Sequence, residues 1–143
     1  MLIPYPFALL SSAWAFDIAG RVAQRYWWST TAEQLTYTGI ATALVAAVPG
    51  IVDYFGTVPP QSSARRSATR HALCNLSGVA CFALAAVTRR RDGYASNRGI
   101  AMATIGTGLL SIGGWLGGKL VYQERVGVVG QGRRELTASI DEP

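Results

Sequence analysis

One histidine and a few charged residues at the edges of apolar runs are the groups in this chain whose types and spacing could do chemistry. Asp53 ends one apolar run, His71 opens the next and Lys119 ends the last, with Tyr122 and Glu124 just beyond it. A carboxylate, an imidazole and an amine at one level can hold a proton, hydrogen-bond a quinone headgroup or bind an anion. The same groups can equally make a structural network in which Lys119 reaches water along its own stem. Nothing else signals catalysis. No nucleophile–base arrangement, phosphate-cradling glycine loop or zinc-type spacing is present, so neither a catalytic residue nor a metal site is expected. Cys74 and Cys81 lie on one helix face and read as small packing residues. A b-type haem would need a second axial ligand beside His71. Met102 opens the last apolar run, at the opposite level, and Met1 is terminal. Any contact with haem, quinone or pigment is therefore expected to be shared with a partner or a second copy, and none within the isolated chain.

The elements that must position these groups show in the charge pattern. The chain has 143 residues, of which 50% are hydrophobic and only 15% charged, with a net charge of +5. That length suits one domain, and the apolar share excludes a disordered chain. The charges are clustered, leaving apolar runs at residues 2–19, 34–54, 71–88 and 99–118. Each is about 17 to 21 residues long, which as a helix spans roughly 25 to 31 Å, the thickness of a bilayer core. The third and fourth carry no charge at all, and so lack the polar stripe that a soluble helix keeps. The expected fold is all-α, an integral membrane four-helix bundle running up-down-up-down, with a polar tail over residues 126–143. Pro59 and Pro60 open a polar loop expected to run from Gln61 to Arg70. No basic residue precedes the first run, and no small-residue cleavage site follows it, so that run is expected to stay in the membrane.

This topology puts Asp53, His71, Lys119, Tyr122 and Glu124 on the side of the termini. Asp17 falls at the other level beside Arg21, Arg89, Arg90 and Arg91, where an interfacial ion pair is expected; Arg21, four residues on, has helix-pair spacing. Tyr5, Tyr26, Trp27, Trp28, Tyr54, Phe55, Tyr94 and Tyr122 fall at span ends, as an interfacial aromatic belt would. Arg21, Arg25, Arg89, Arg90, Arg91 and Arg98 on one side nearly balance Arg65, Arg66, Arg70, Lys119 and Arg125 on the other. The two arginines directly after the first run tip the orientation toward both termini outside, on the periplasmic face of a bacterial inner membrane. Scattered basic loops without a recognition motif fit lipid headgroups, and no nucleic-acid partner is expected.

Gly113 with Gly117, and Gly114 with Gly118, are overlapping small-xxx-small pairs that let helix backbones approach closely in lipid. Gly39, Ala43 and Ala47 on the second span, and Ser77, Cys81 and Ala85 on the third, repeat the spacing. Packing within the chain and docking to another subunit both use such faces. Pro49-Gly50 is expected to kink the second helix near its end, beside Asp53.

Several blocks match a known pattern: Pro6-Phe7-Ala8-Leu9-Leu10 with Phe16-Asp17, Val48-Pro49-Gly50-Ile51-Val52-Asp53-Tyr54, His71-Ala72-Leu73-Cys74-Asn75-Leu76, and the run from Gly113 to Tyr122 followed by Gly127-Val128. On these the chain resembles the DUF2231 family of small predicted bacterial membrane proteins, over nearly its whole length. The resemblance implies no settled activity. Fusion of some members to Rieske-type ferredoxin domains implies a link to membrane redox chemistry. Many members carry histidines near the start of the first helix, where this chain has Pro4.

These features point to an accessory or scaffold subunit of a larger membrane assembly, redox or energy-converting in kind. Its expected partners are the bilayer and other membrane subunits or further copies of itself. A quinone- or cofactor-binding redox protein using Asp53, His71 and Lys119 is the alternative. A small transporter is a third, disfavoured because four short spans hold no second inverted half.

Overall fold

A computed structural model describes residues 4–89 and 93–123, which form four helices: α1 (Pro4–Ala23), α2 (Tyr26–Gly56), α3 (Ser63–Val87) and α4 (Asn97–Tyr122). Local chemistry sets their ends. α1 stops where Gln24 takes a left-handed backbone (φ 53°) and Arg25 turns extended. Past α2, Pro59 and Pro60 lack the N–H groups a helix needs. Ser62 and Ser96 start α3 and α4, each hydroxyl accepting a backbone N–H at 3.0 Å, from Arg65 and Gly99 respectively.

The helices extend beyond the apolar runs. α2 begins at Tyr26 rather than at 34, and Thr30 and Thr31 there bond back to the carbonyls of Tyr26 and Trp27. The segment expected as a polar loop, Gln61 to Arg70, is instead helical from Ser63. The Ser62 cap starts that helix, and Ala64 and Ala68 give it a buried face against Val58 and Leu120. Polar composition signalled a loop there because only every fourth residue faces the core.

The four helices run up-down-up-down as two hairpins. α1 lies along α2 and α3 along α4, while α1 with α4 and α2 with α3 touch more sparsely. We call the end where α1 begins proximal and the other distal. The central core is Leu10, Phe82, Ala103 and Leu110, with Trp14, Ile40, Val79 and Ala85 packed on it. Val58, Ala64, Ala68 and Leu120, with Tyr54, form a second core at the proximal end.

Within the α3/α4 hairpin the backbones meet at Gly78 and Gly106. A methyl on Gly106 would stand 2.9 Å from Phe82 and 3.0 Å from the Gly78 carbonyl oxygen; one on Gly78 would stand 2.8 Å from Leu110. In α1/α2 the equivalent approach is at Gly39, where a methyl would meet Leu10 at 2.7 Å. Such contact gains dispersion energy where lipid supplies no hydrophobic drive between helices.

α2, α3 and α4 are each long and apolar enough to cross a membrane; α1, with Asp17, Arg21 and two prolines, is not among them over its described residues. The apolar side chains on the outside are left open, Leu44, Val48, Val52, Leu76 and Leu84 each more than half exposed. Water would penalise that surface, whereas acyl chains cover it at no cost.

Gly106→Ala is expected to destabilise the protein by about 1–3 kcal/mol through overpacking against backbone. Gly108, two residues on with nothing within 4 Å, should tolerate alanine or gain from it. Unfolding midpoints in a mixed-detergent titration compare the two, and equal losses would contradict this packing.

Candidate functional site

The proximal end gathers most of the residues singled out from sequence. His71 lies on α3, two turns beyond the Ser62 cap, facing α4. Its Nδ1 is 2.7 Å from the carbonyl oxygen of Gly113. A carbonyl can only accept, so Nδ1 carries the proton and, in the neutral ring, Nε2 keeps the lone pair. Asn75, one turn along α3, donates to the His71 carbonyl at 2.9 Å. The same amide nitrogen is 3.2 Å from both ring nitrogens. Equal distances place it across the ring, not along either lone pair.

Both side chains occupy space that α4 leaves empty. A methyl on Gly113 would lie 2.7 Å from the Asn75 amide oxygen, and one on Gly117 would lie 2.9 Å from His71 Cε1. His71 and Asn75, four apart, therefore seat over Gly113 and Gly117, also four apart. Gly114 and Gly118, the overlapping pair, have nothing within 4 Å. The four glycines thus divide into an inner pair that receives α3 and an outer pair facing open space.

The other expected members stand differently. Asp53 is exposed, and among the described residues it is its backbone carbonyl, not its carboxylate, that is engaged, by the N–H groups of Thr57 and Val58. Lys119 is half-buried and Tyr122 exposed. Among the described residues no hydrogen bond or ion pair joins Asp53, His71 and Lys119. Glu124 lies outside the described residues. Sequence reasoning missed Arg65 at this end. Its guanidinium lies 3.6 Å above the Tyr54 ring, and its Nη1 donates to the carbonyls of Tyr54 and Val58, closing the end of α2. The Tyr54 hydroxyl and Thr69 are 2.8 Å apart.

At the distal end Asp17 has its ion pair. Arg89 Nη1 and Nη2 donate to Asp17 Oδ1 and Oδ2 at 3.0 and 3.2 Å, a bidentate fork. Both side chains are about nine-tenths buried. Arg89 Nη1 also donates to the Gly93 carbonyl at 3.1 Å. Arg21 turns away from Asp17 and donates to Asn97 at 3.1 Å. The i,i+4 spacing favoured Arg21, but Arg89 comes from the neighbouring hairpin with its fork aligned. Arg90 and Arg91 lie outside the described residues. Of the expected aromatic belt, Tyr26 and Trp27 are exposed, whereas Trp28 packs on Phe16 with its indole N–H buried and, among the described residues, unpartnered. Trp14 donates to Thr104 at 2.9 Å, a further tie between the hairpins.

A model of predicted membrane proteins, DUF2231, matches residues 1–130. The chain belongs to the DUF2231 family. With its three membrane-length helices, this DUF2231 protein is a small, multi-pass integral membrane protein. No curated protein and no solved structure matches the chain.

Asp17→Ala leaves the Arg89 guanidinium buried and unpaired in this DUF2231 protein, and is expected to cost about 3–5 kcal/mol. The detergent unfolding midpoint measures it. Removing both charges, Asp17→Ala with Arg89→Met, should recover much of the loss, and a double variant as weak as the single one would contradict the pairing.

Proposed function

We propose that this chain is an accessory or scaffold subunit that docks in lipid onto other membrane subunits or further copies of itself. The division of the α4 glycines carries the reading. One pair is used up within the chain, while Gly114 and Gly118 present bare backbone outward beside exposed Ile112 and Trp115. A bare glycine strip beside a large aromatic is the surface a partner helix needs for close approach. Membership of a family of predicted membrane proteins supports a site of action within the bilayer. A redox or energy-converting assembly is the host we favour, on the family resemblance. The location we propose is a bacterial inner membrane, with both termini on the periplasmic side, from Arg21 in the last turn of α1 and Arg25 just after it.

One observation favours a second reading. His71 is tautomerically fixed, with the Nε2 lone pair left for a hydrogen-bond donor or a ligand centre. A quinone or cofactor contact at His71, with Asp53 and Lys119 at the same end, is that alternative. An absorption spectrum and a quinone titration on the isolated protein separate the two, with His71→Ala as the control.

Purification from native membranes in mild detergent tests the subunit reading. The wild-type chain should migrate with partners or copies, and Gly114→Leu with Gly118→Leu should release it while helix content and unfolding midpoint stay unchanged. A wild-type chain migrating alone would overturn the proposal.

A further inference from the structure

The outward face of α3 changes character abruptly along its length. Arg66, Arg70, Leu73, Ser77 and Leu84 recur at helical spacing, and all are exposed. The two arginines stand at the proximal end. Leu73, one turn below Arg70, is 57% exposed and Leu84 is 55% exposed. Neither the Arg66 nor the Arg70 side chain has an ion pair or hydrogen bond among the described residues, whereas Arg65 beside them is spent on the end of α2. Lys119 adds a third cation at this level, since its neighbour Leu120 packs against Ala64 and Ala68 on the inner face of the same turns of α3. It too is without an ionic partner among the described residues. Among the described residues the carboxylate at this end, Asp53, belongs to the other hairpin.

Arg66, at the end of the first turn of α3, meets the positive end of the helix dipole, an unfavourable position for a cation, and Arg70 stands one turn further along. An anion laid across Arg66 and Arg70 removes that repulsion. The apolar face directly below them selects which anion: one that carries hydrocarbon. We propose that Arg66 and Arg70, with Lys119 at their level, hold the phosphodiester of an anionic phospholipid whose acyl chains lie along Leu73 and Leu84. The headgroup supplies the acceptor oxygens for the guanidinium forks. The bilayer supplies the chains to a surface already apolar. The arginines and leucines of this contact lie on α3, whereas the docking strip at Gly114 and Gly118 lies on α4, next to Lys119.

The test is lipid retention on the full chain by native mass spectrometry, after exchange from bilayers of phosphatidylcholine containing phosphatidylglycerol or cardiolipin. The wild type should retain the anionic lipid over phosphatidylcholine. Arg66→Gln with Arg70→Gln should weaken retention about thirty-fold, on the usual contribution of a basic residue near a charged headgroup. Arg25→Gln with Arg98→Gln, exposed arginines of the distal end, should leave it within two-fold of wild type, roughly the scatter of such comparisons. Unchanged elution and helix content confirm that both pairs fold. Retention unchanged in Arg66→Gln/Arg70→Gln, or lost equally in the distal pair, would overturn the proposal. So would inorganic phosphate displacing the lipid at comparable concentration, which would make the site one for the free anion.

Discussion

The close approach of α3 and α4 at Gly78 and Gly106 is the constraint on which the rest of the structure depends. With Phe82 over one glycine and Leu110 over the other, the two backbones come as near as their carbonyls allow. That spacing continues toward the proximal end, where Gly113 and Gly117 leave just enough room for Asn75 and His71. The hydrogen bond from His71 to the Gly113 carbonyl follows from the approach; a bulkier α4 would push the ring out of reach. A single run of small residues therefore sets both the packing of the hairpin and the protonation pattern of the chain's one histidine.

Polar groups follow a different logic at the two ends. Distally, Asp17, Arg89, Arg21 and Asn97 are paired across the hairpins, and Trp14 adds a bond from α1 to α4 further in. Proximally, the polar ties run within the α3/α4 hairpin and from α2 to α3, through His71, Asn75, Arg65 and Tyr54. α1 and α4 have no such tie at that end among the described residues. The protein is a pair of zipped hairpins joined by polar bonds at both rims, through α1 distally and through α2 proximally.

Much of this was legible in the chain because lipid is a simple solvent. A charge inside an apolar run is costly, so the runs outline the helices and their order, and Asp17 had to find an arginine. What stayed hidden was azimuth. Two glycine pairs one residue apart look alike in sequence, yet a rotation of about 100° on the helix puts one inside and leaves the other open. The first turns of α3 were hidden for the same reason, since Ala64 and Ala68 bury a face amid arginines. Arg65 could not be singled out from Arg66, because its role depends on the ring of Tyr54 and the spent end of α2. His71 and Asn75 did leave a signal, a four-residue spacing equal to that of Gly113 and Gly117.

The ion pair between Asp17 and Arg89 also bears on how the chain is made. The partners are 72 residues apart, so at ribosomal speed Asp17 emerges roughly 4 to 14 s before the arginine that neutralises it. Through that interval Arg21, four residues on along α1, is the cation at hand for Asp17, since Asn97 is also still to come. The bidentate pair that joins the two hairpins at the distal rim therefore forms only after the whole of α3 has been made.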